Sequence, residues 1–542
     1  MGVLTKRDPN VKRLKVQAIC FSLIFGTLFL AASFSTAADW PCWRGANRNG
    51  LSSETGLLRE WTEEVQPTLV WKNTSLGQTM NGVAVMGNLV YTIGTKGGAE
   101  CVFCIDNQSG KTLWTRPIGK NVGGKGKFPV QRSTPTLYKD FLYALSSSGN
   151  LVCMQAGNGL VLWNMNLITN LGGIMPPGGY CESPYVDGKW VIVTPGGPNA
   201  TMAAVERYGI RIIWAARAGM PAGFSSIVKA SFGREHQYVN FTAEGLVGVK
   251  VKGGDVRWRY EAPAHESGYN ACPPIWFGQT MLASSAAGTG CVWIQKDGTA
   301  YKTSEVWFNE DLKIPTGDMI KVNDCVFACN DTDGLICFDY KTGEKIWSDK
   351  TLFAEAFEEE IDDTKSKSRK KRKTAMNELL PVSASVVSPI LAQTEASGDG
   401  EKGRTIEIAP APKSKKKAKK ALPPEVPACM GTMAYAEGLL YLRTSMGELV
   451  LLDASPDGLK LRGRIRIPQM KKGLAVTPVI ANGYLYLREG ATLFCFDLRD
   501  QSRRSGTSDG GAEGESGSSG GKALPGMPGK EGVKRRTAPG LG

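Results

Sequence analysis

The chain has 542 residues, with 65 glycines and 13 tryptophans, and its formal net charge is +14. This length exceeds what one small core needs, so the chain holds either several domains or one repeat architecture with tails. The many glycines and large aromatic residues indicate numerous turns and buried strands, and they argue against a helical bundle. Much of the positive charge lies near the N-terminus and in two lysine-rich runs, so it says little about the folded body.

Residues 1–38 have the pattern of a signal peptide. A basic stretch that ends at Lys15 precedes an apolar run over 16–32, and small residues around Ala37 offer a cleavage site. An uncleaved anchor helix is the alternative interpretation, and no later apolar run is long enough to span a bilayer. We therefore expect an exported protein, in the periplasm or outside the cell. Export permits disulfides, yet most cysteines lie in apolar strand-like runs, so we expect one or two bridges at most.

Tryptophan recurs after residue 70 at intervals of roughly 40 to 50 residues, a period that suits one four-stranded propeller blade. We predict that each of these tryptophans lies on the strand after a turn and docks against a neighbouring blade. The recurring residues are Trp71, Trp114, Trp163, Trp214, Trp258, Trp307 and Trp347.

The surroundings of the tryptophan repeat as well, in a unit that reads Asp-x-x-x-Gly-x-x-x-Trp. An aspartate just after a strand can accept hydrogen bonds from backbone N–H groups two residues on, and glycine can take the positive φ that closes the turn. One unit keeps its spacing up to Leu461 but lacks the tryptophan there. The turn residues assigned in this way are Asp106, Gly110, Asp339, Gly343 and Asp453.

The number of blades follows from the turn-plus-strand signatures that begin near residues 87, 140, 188, 235, 278, 323, 438 and 483. The last signature has no tryptophan strand after it, so we predict that the strand of Trp71 completes the blade begun at Gly483 and closes the ring. The predicted fold is all-β, an eight-bladed β-propeller of four-stranded antiparallel blades. Seven blades is the alternative, because residues 277–307 are irregular.

Two low-complexity segments interrupt the pattern. Residues 353–427 form a charged insertion that cannot bury enough apolar surface to fold alone, although an apolar island at 380–391 could dock as an extra strand. Residues 499–542 read as a disordered tail rich in glycine and serine. The propeller is therefore expected over 39–352 and 428–498. The lysine runs of the insertion are solvated loops or make weak contact with an anionic surface, and without interleaved aromatics we expect no specific nucleic-acid binding.

The repeated unit and the opening run from Asp39 to Gly45 carry a family resemblance. The unit resembles the repeat of pyrroloquinoline-quinone (PQQ) quinoproteins and of their non-catalytic relatives, which include the propeller subunit of the bacterial outer-membrane β-barrel assembly machinery. The opening run resembles the start of secreted bacterial propellers of this group. The resemblance covers roughly 39–350 and 428–498. It is specific for fold, whereas folds of this kind host many functions.

The resemblance to the enzymes of this group implies a quinone held between a tryptophan and a disulfide of adjacent cysteines, with a calcium ion and a catalytic aspartate. The sequence contains no adjacent pair of cysteines, and no motif matches the calcium ligands or the base. A histidine-based metal site or catalytic triad is disfavoured, because His236 and His265 are the only histidines and lack a metal-type spacing. His236 lies in a strand-like run, whereas His265 lies in a loop and is the stronger site candidate.

Three further motifs have structural explanations. Cys101 and Cys104 are spaced like a redox or zinc pair, but residues three apart on a strand point to opposite faces. Residues 330–334 look like a calcium loop, but an Asp-Gly hairpin turn explains them better. Glycine pairs at 172–173, 178–179 and 196–197 indicate loops on a propeller face, where a ligand can bind.

Together these observations favour an exported, non-catalytic propeller without cofactor or metal, which acts as a monomeric protein-interaction or scaffolding module. Its expected partners are other envelope proteins, bound by loops of one face or by the central funnel. A divergent oxidoreductase with PQQ and calcium in the funnel is the alternative, and a carbohydrate-binding propeller is a third hypothesis.

Overall fold

The computed structural model of the chain describes residues 38–122, 133–353, 431–467, 470 and 476–500. The chain divides into two units, Met1–Arg499 and Asp500–Gly542, and the propeller lies in the first. The predicted signal peptide, the charged insertion with its apolar island and the tail fall outside the described residues, apart from a few residues at their edges. Within the described part of the chain, no helix combines the length and the apolar character needed to cross a bilayer.

The first half of the described chain forms short strands, because its apolar runs end at glycine, asparagine and aspartate turns. Strand β1 (Thr68–Asn73) precedes blade one, which contains β2 (Ala84–Met86), β3 (Leu89–Lys96), β4 (Ala99–Asp106) and β5 (Thr112–Lys120). Blade two contains β6 (Thr136–Tyr138), β7 (Phe141–Leu145), β8 (Asn150–Gln155) and β9 (Val161–Asn166), followed by the short helix α1 (Leu167–Leu171). Blade three contains β10 (Tyr185–Asp187), β11 (Trp190–Val193), β12 (Met202–Glu206) and β13 (Ile212–Ala216). Blade four contains β14 (Val228–Phe232), β15 (Glu235–Phe241), β16 (Leu246–Lys250) and β17 (Val256–Tyr260).

The second half continues in the same way. Blade five contains β18 (Ile275–Phe277), β19 (Thr280–Ser285), β20 (Gly288–Asp297) and β21 (Ala300–Asn309). Blade six contains β22 (Ile320–Val322), β23 (Cys325–Asn330), β24 (Gly334–Asp339) and β25 (Lys345–Asp349), followed by a 3-10 turn at Thr351–Phe353. Blade seven contains β26 (Gly431–Ala436), β27 (Leu439–Thr444), β28 (Glu448–Asp453) and β29 (Leu461–Arg466). Blade eight contains β30 (Val479–Ala481), β31 (Tyr484–Glu489) and β32 (Thr492–Asp497).

These strands form eight four-stranded antiparallel sheets arranged in a ring, which confirms the predicted eight-bladed propeller and rules out seven blades. Seven sheets are meanders of consecutive strands, whereas the eighth has the order β1-β32-β31-β30. In that sheet Trp71 lies opposite Cys495, so a strand from near the N-terminus completes the blade that contains the last strands. The pairing joins the two ends of the propeller and removes an open edge.

One hydrophobic cluster lies at each of the eight contacts between neighbouring blades, including the contact between blades eight and one. Because strand side chains alternate, each blade serves two clusters. In β4, Cys101 packs toward blade eight and Cys104 toward blade two, so the two thiols do not converge. The eleven cysteines of the described residues form no disulfide with one another, so the expected one or two bridges do not form among them.

Seven of the eight blades carry a repeated tryptophan on the fourth strand. In six of them the indole N–H reaches the following blade, whereas that of Trp258 donates to the side chain of Gln237 in its own blade. Trp71 donates to the carbonyl oxygen of Asn107 at 2.6 Å, and Trp114 donates to that of Ala156 at 3.2 Å. The turn glycine of the next blade lies directly under the ring, since a Cβ added to Gly110 would lie 2.6 Å from the ring of Trp71. Two constraints therefore favour glycine there, because its φ is also +70°.

Two turn aspartates cap their own turns by accepting backbone hydrogen bonds. Asp106 accepts from the N–H of Ser109 at 2.8 Å, and Asp339 accepts from those of Lys341 and Thr342 at 2.6 and 3.0 Å. These carboxylates start the turns in the way the spacing predicts for each of them.

In blade seven, the strand pairing differs from the alignment that the repeat predicts. Trp114 and Trp347 pair with the residues two places before Asp106 and Asp339, and two places before Asp453 the paired residue is Gly463. The alignment of Leu461 with the tryptophan is therefore wrong by two residues, because the turn after Asp453 is longer. The carboxylate of Asp453 pairs with Arg462 at 2.8 Å instead of capping its turn.

The missing tryptophan of blade seven comes from elsewhere in the chain. Trp61 is 6% exposed, and its ring lies 6.0 Å from that of Tyr441 on the second strand. In blade one, Trp114 lies 6.0 Å from Tyr91 in the corresponding arrangement. A Cβ on Gly463 would lie 2.4 Å from the Cβ of Trp61, so this glycine leaves the space that Trp61 fills.

Candidate functional site

Residues 38–61, which we call the N-terminal segment, enter the central channel before the chain reaches β1. The first strand of each blade is innermost, because first strands contact one another while fourth strands are largely exposed. Trp40 pairs with Val85 on the first strand of blade one, and Leu51 pairs with Tyr435 on that of blade seven. These two pairings fix the segment against blades one and seven, which are the neighbours of blade eight in the ring.

Arg44 fixes the segment to the inner ends of blades six and eight. Its guanidinium is buried and forms an ion pair with Asp318 at 3.0 Å, and it also donates to the carbonyl oxygen of Met319 at 2.6 Å. The second carboxylate oxygen of Asp318 accepts from the hydroxyl of Thr477 at 2.5 Å. Burial lowers the pKa of Arg44 and the charge of Asp318 opposes that shift, so the pair compensates part of the desolvation cost.

Arg48 fixes the same segment to blades two, three and four. Its guanidinium is 4% exposed and donates to the carbonyl oxygens of Ser183 and Ile227, both at 3.0 Å. It also lies over the ring of Tyr185, with 4.7 Å between the guanidinium carbon and the ring centroid. A buried charge is costly unless it is hydrogen-bonded, and the partners of Arg48 are mainly carbonyl groups. Because these bonds would be lost if the segment moved, they hold it in one position.

A buried carboxyl group lies beside this arginine. Glu182 accepts hydrogen bonds from the N–H of Thr194 at 2.9 Å and from the amide of Asn240 at 3.2 Å. Burial raises the pKa of Glu182 to about 7, although the bonds to Thr194 and the charge of Arg48 act in the opposite direction. Glu182 therefore titrates near neutrality inside the ring.

One cavity beside the N-terminal segment, near the propeller axis, is small. A cavity of about 80 Å³ lies between Trp40, Trp43 and Arg44 of the segment and the loops around Thr134 and Thr477. Pockets that bind organic cofactors usually measure about 300 Å³ or more. This axial cavity is too small for a tricyclic quinone.

A larger opening, the basic cleft, lies between the N-terminal segment and the first strands of blades three to six. Its volume is about 550 Å³, and its lining includes Asn47 from the segment and His236, Trp276, Phe277 and Lys321 from the blades. Trp276 and Phe277 are 41% and 50% exposed, although they lie on an innermost strand. The cleft thus combines an aromatic wall with positive charge.

The charged groups of the cleft are arranged asymmetrically. The ammonium group of Lys321 lies 3.8 Å from the ring centroid of Phe277, and burial lowers the pKa of this lysine. Lys229 pairs with Asp187 at 2.6 Å, so its charge is largely compensated. His236 shares a 2.7 Å hydrogen bond with Ser231 and remains exposed. The residues that line the cleft, all of them within the described chain, include no aspartate or glutamate.

The other sequence candidates lie away from this cleft. His265 lies in the loop between blades four and five, where its Nδ1 is 2.8 Å from the hydroxyl of Ser267. Asn330 pairs with Gly334 across a tight hairpin, and Asp333 between them binds Lys345 at 2.7 Å. Among the described residues, no group of three histidine, cysteine or carboxylate side chains could hold a metal ion.

The described residues do not fit PQQ and its calcium ion. The described cysteines form no disulfide with one another, so the disulfide expected beside the quinone is not formed by them. Arg44 and Asp318 satisfy each other at the axis, and the adjacent cavity is only about 80 Å³. We therefore derive no catalytic step through a quinone.

Sequence reasoning missed the roles of Arg44, Arg48 and Trp61. One signal was available, because Trp40, Trp43 and Trp61 precede β1 and fall outside the repeat period. Large aromatic side chains rarely lie in a linker without packing partners. The contacts of Arg44, Arg48 and Trp61 could not be found from the sequence, because they lie on six different blades.

Solved structures share this fold at low sequence identity. Quinohemoprotein alcohol dehydrogenase from Comamonas testosteroni has a TM-score of 0.52 at 12% identity, over 88% of this chain and 82% of its own. A second quinohemoprotein alcohol dehydrogenase, from Pseudomonas putida HK5, has a TM-score of 0.51 at 10% identity, over 85% and 80%. BamB from Moraxella catarrhalis has a TM-score of 0.47 at 13% identity, over 80% and 98%. No curated protein matches the sequence.

The sequence itself matches one family model, described as outer membrane protein assembly factor BamB, over residues 61–166 and 104–349. These stretches together run from 61 to 349, which is just over half of the 542 residues. The matched region contains blades one to six and the strand that closes the ring. The chain therefore belongs to the BamB family of PQQ-like β-propellers.

Proposed function

We propose that this protein is an exported, non-catalytic propeller that binds other proteins of the cell envelope and acts as a scaffold. The observation that carries the proposal is the N-terminal segment inside the channel, fixed by Arg44 and Arg48. Because the chain itself occupies part of the funnel, the outer surfaces of the propeller and the basic cleft are left for partners. Membership of the BamB family supports an envelope location and protein partners.

A divergent PQQ-dependent oxidoreductase is the second candidate. It is favoured by the likeness of the fold to two quinohemoprotein dehydrogenases. This likeness extends to the fold alone, since identity is 10 to 12%. The lack of a disulfide among the described cysteines weighs against it.

Titration with PQQ and calcium separates the two candidates. We expect that PQQ with calcium leaves the melting temperature of the purified protein unchanged and yields no reduction of an electron-accepting dye with alcohols. A saturable rise in melting temperature that requires both PQQ and calcium, with dye reduction, would reverse the ranking.

Photo-cross-linking tests the scaffold proposal directly. A cross-linking amino acid is introduced at exposed positions on each propeller face in the native host, and adducts are sought in the envelope fraction. We expect discrete adducts with envelope proteins from one face, with the protein itself sedimenting as a monomer. Recovery of the protein only from the cytoplasm, or no adduct from either face, contradicts the proposal.

The lysine runs of the charged insertion play no part in this proposal beyond weak contact with anionic surfaces. Replacing residues 356–427 by a short glycine-serine linker tests that contact. At low salt we expect heparin to retain the linker variant less than the intact protein. At physiological salt we expect heparin to retain neither protein, because exposed charges are screened. Retention that persists at high salt in the intact chain indicates a specific polyanion site.

A further inference from the structure

We propose that the basic cleft binds an extended segment of a partner protein in which acidic residues alternate with apolar ones. This inference rests on the proposed function and deepens it, because it names the surface and the chemistry of the partner. It depends on three features: an aromatic wall, a cation without an opposing carboxylate in the lining, and a size suited to a few side chains.

The aromatic wall is unusual for an innermost strand. The first strands β2, β6 and β30 bury nearly all their residues, whereas Trp276 and Phe277 on β18 are 41% and 50% exposed. The N-terminal segment pairs with the inner strands of blades one and seven, whereas β18 lines the cleft. Two adjacent exposed aromatic rings in a concave site favour an apolar side chain as ligand.

The positive charge lies against this wall. Lys321 rests on the ring of Phe277 at 3.8 Å and on that of Tyr340 at 5.0 Å, and it also donates to the carbonyl oxygen of Asn323. The nearest acidic group, Asp324, is held by Lys341 at 2.7 Å. A carboxylate that enters the cleft therefore meets a partly desolvated ammonium group without a competing anion among the lining residues.

Other lining groups extend the same pattern. The imidazole of His236 also lines the cleft, and the buried charge of Arg48 forms part of the floor. Asn47 and Asn49 line the opposite wall, where side-chain amides can bind a peptide backbone. Two or three cations suit one or two carboxylates but are too few for a polyphosphate, and about 550 Å³ holds a few side chains.

Peptide binding by the full-length protein tests the inference. The probe is a short fluorescein-labelled peptide that alternates aspartate with leucine and phenylalanine, followed by fluorescence anisotropy. The comparison peptide carries lysine in place of each aspartate. We expect saturable binding of the acidic peptide, weakened by salt, and no saturable binding of the basic one.

Three variants locate the binding. Lys321→Glu reverses the charge in the cleft and is expected to raise Kd about tenfold or more, the effect of roughly 1.4 kcal/mol. Trp276→Ala removes part of the aromatic wall and is expected to weaken binding of the same peptide. Lys72→Glu makes the same charge change on an exposed outer strand and is expected to leave Kd unchanged. Circular dichroism and melting temperature verify that each variant is folded.

Three outcomes overturn the inference: equal binding of both peptides, an unchanged Kd in Lys321→Glu, or no saturable binding up to about millimolar concentration. Its failure is distinguishable from failure of the proposed function. If Lys321→Glu and Trp276→Ala keep all envelope cross-links, the scaffold stands and the partner binds elsewhere. If the unaltered protein gives no cross-link at all, the proposed function fails.

Discussion

Trp61 offers a sharp test of how the N-terminal segment completes blade seven. Its side chain is 6% exposed, and a buried tryptophan removes about 150–250 Å² from water. At roughly 25 cal/mol per Å², losing this burial costs about 4–6 kcal/mol. The cost is smaller by the contribution of the Cβ that alanine retains. Its indole N–H has no hydrogen-bond partner among the described residues, so removing it recovers about 1 kcal/mol. We expect Trp61→Ala to cost about 3 kcal/mol.

Urea unfolding followed by far-UV circular dichroism measures this cost as a lower midpoint. Trp276→Ala is the matched control, because its ring is 41% exposed and its loss is expected to shift the midpoint only slightly. Gly463→Ala tests the register, since the new Cβ would lie 2.8 Å from the backbone oxygen of Trp61. Leu461→Ala, at a residue that is 51% exposed, is expected to be nearly neutral. Equal midpoints for Trp61→Ala and Trp276→Ala would refute the assignment of Trp61 to blade seven.

Three further predictions concern the channel and the buried thiols. Arg48→Met is expected to lower the free energy of unfolding by about 3 kcal/mol and to make residues 38–61 sensitive to protease, because buried carbonyl groups lose their donor. Digestion of this variant at the same rate as the parent protein would contradict the prediction. Burial raises the pKa of Glu182 to about 7 from an ordinary 4.5. Between these two pH values the folded state keeps a proton that the unfolded state loses, so the free energy of unfolding falls as pH rises from 4.5 to about 7. Glu182→Gln should remove a contribution of about 3 kcal/mol to that dependence, and a pH profile identical to that of the parent protein argues against it. The last prediction uses a variant in which Cys20 and Cys429 are replaced by serine. In this variant only the half-buried Cys325 should react quickly with a thiol reagent at pH 8. Rapid reaction of several thiols without denaturant would refute burial of the other cysteines.

Much of the fold was predictable from the sequence. The turn-plus-strand signatures gave the number of blades, and the unpaired strand of Trp71 gave the closure of the ring, since both depend on local spacing. The opposite orientation of Cys101 and Cys104 followed from the two-residue period of a strand. Local turn chemistry and strand alternation are encoded in neighbouring residues, so they can be recognised without knowledge of distant contacts.

The candidate site was not predictable in the same way. His265 was the stronger histidine from its loop position, yet His236 is the one that lines the basic cleft. The cleft joins Asn47 to Lys321, which are separated by more than half of the propeller in sequence. No local pattern records such a contact, because it arises only when the ring closes around the N-terminal segment.

The sequence by itself therefore determined the eight blades, their turns and the strand that closes the ring. Only the tertiary structure decided that Arg44 and Arg48 fill the channel, that Trp61 replaces the tryptophan missing from blade seven, and that Trp276, Phe277 and Lys321 stay open to solvent. The physical reason is the range of the interactions. Turns and strands depend on residues a few positions apart, whereas burial in a ring depends on which distant surfaces meet.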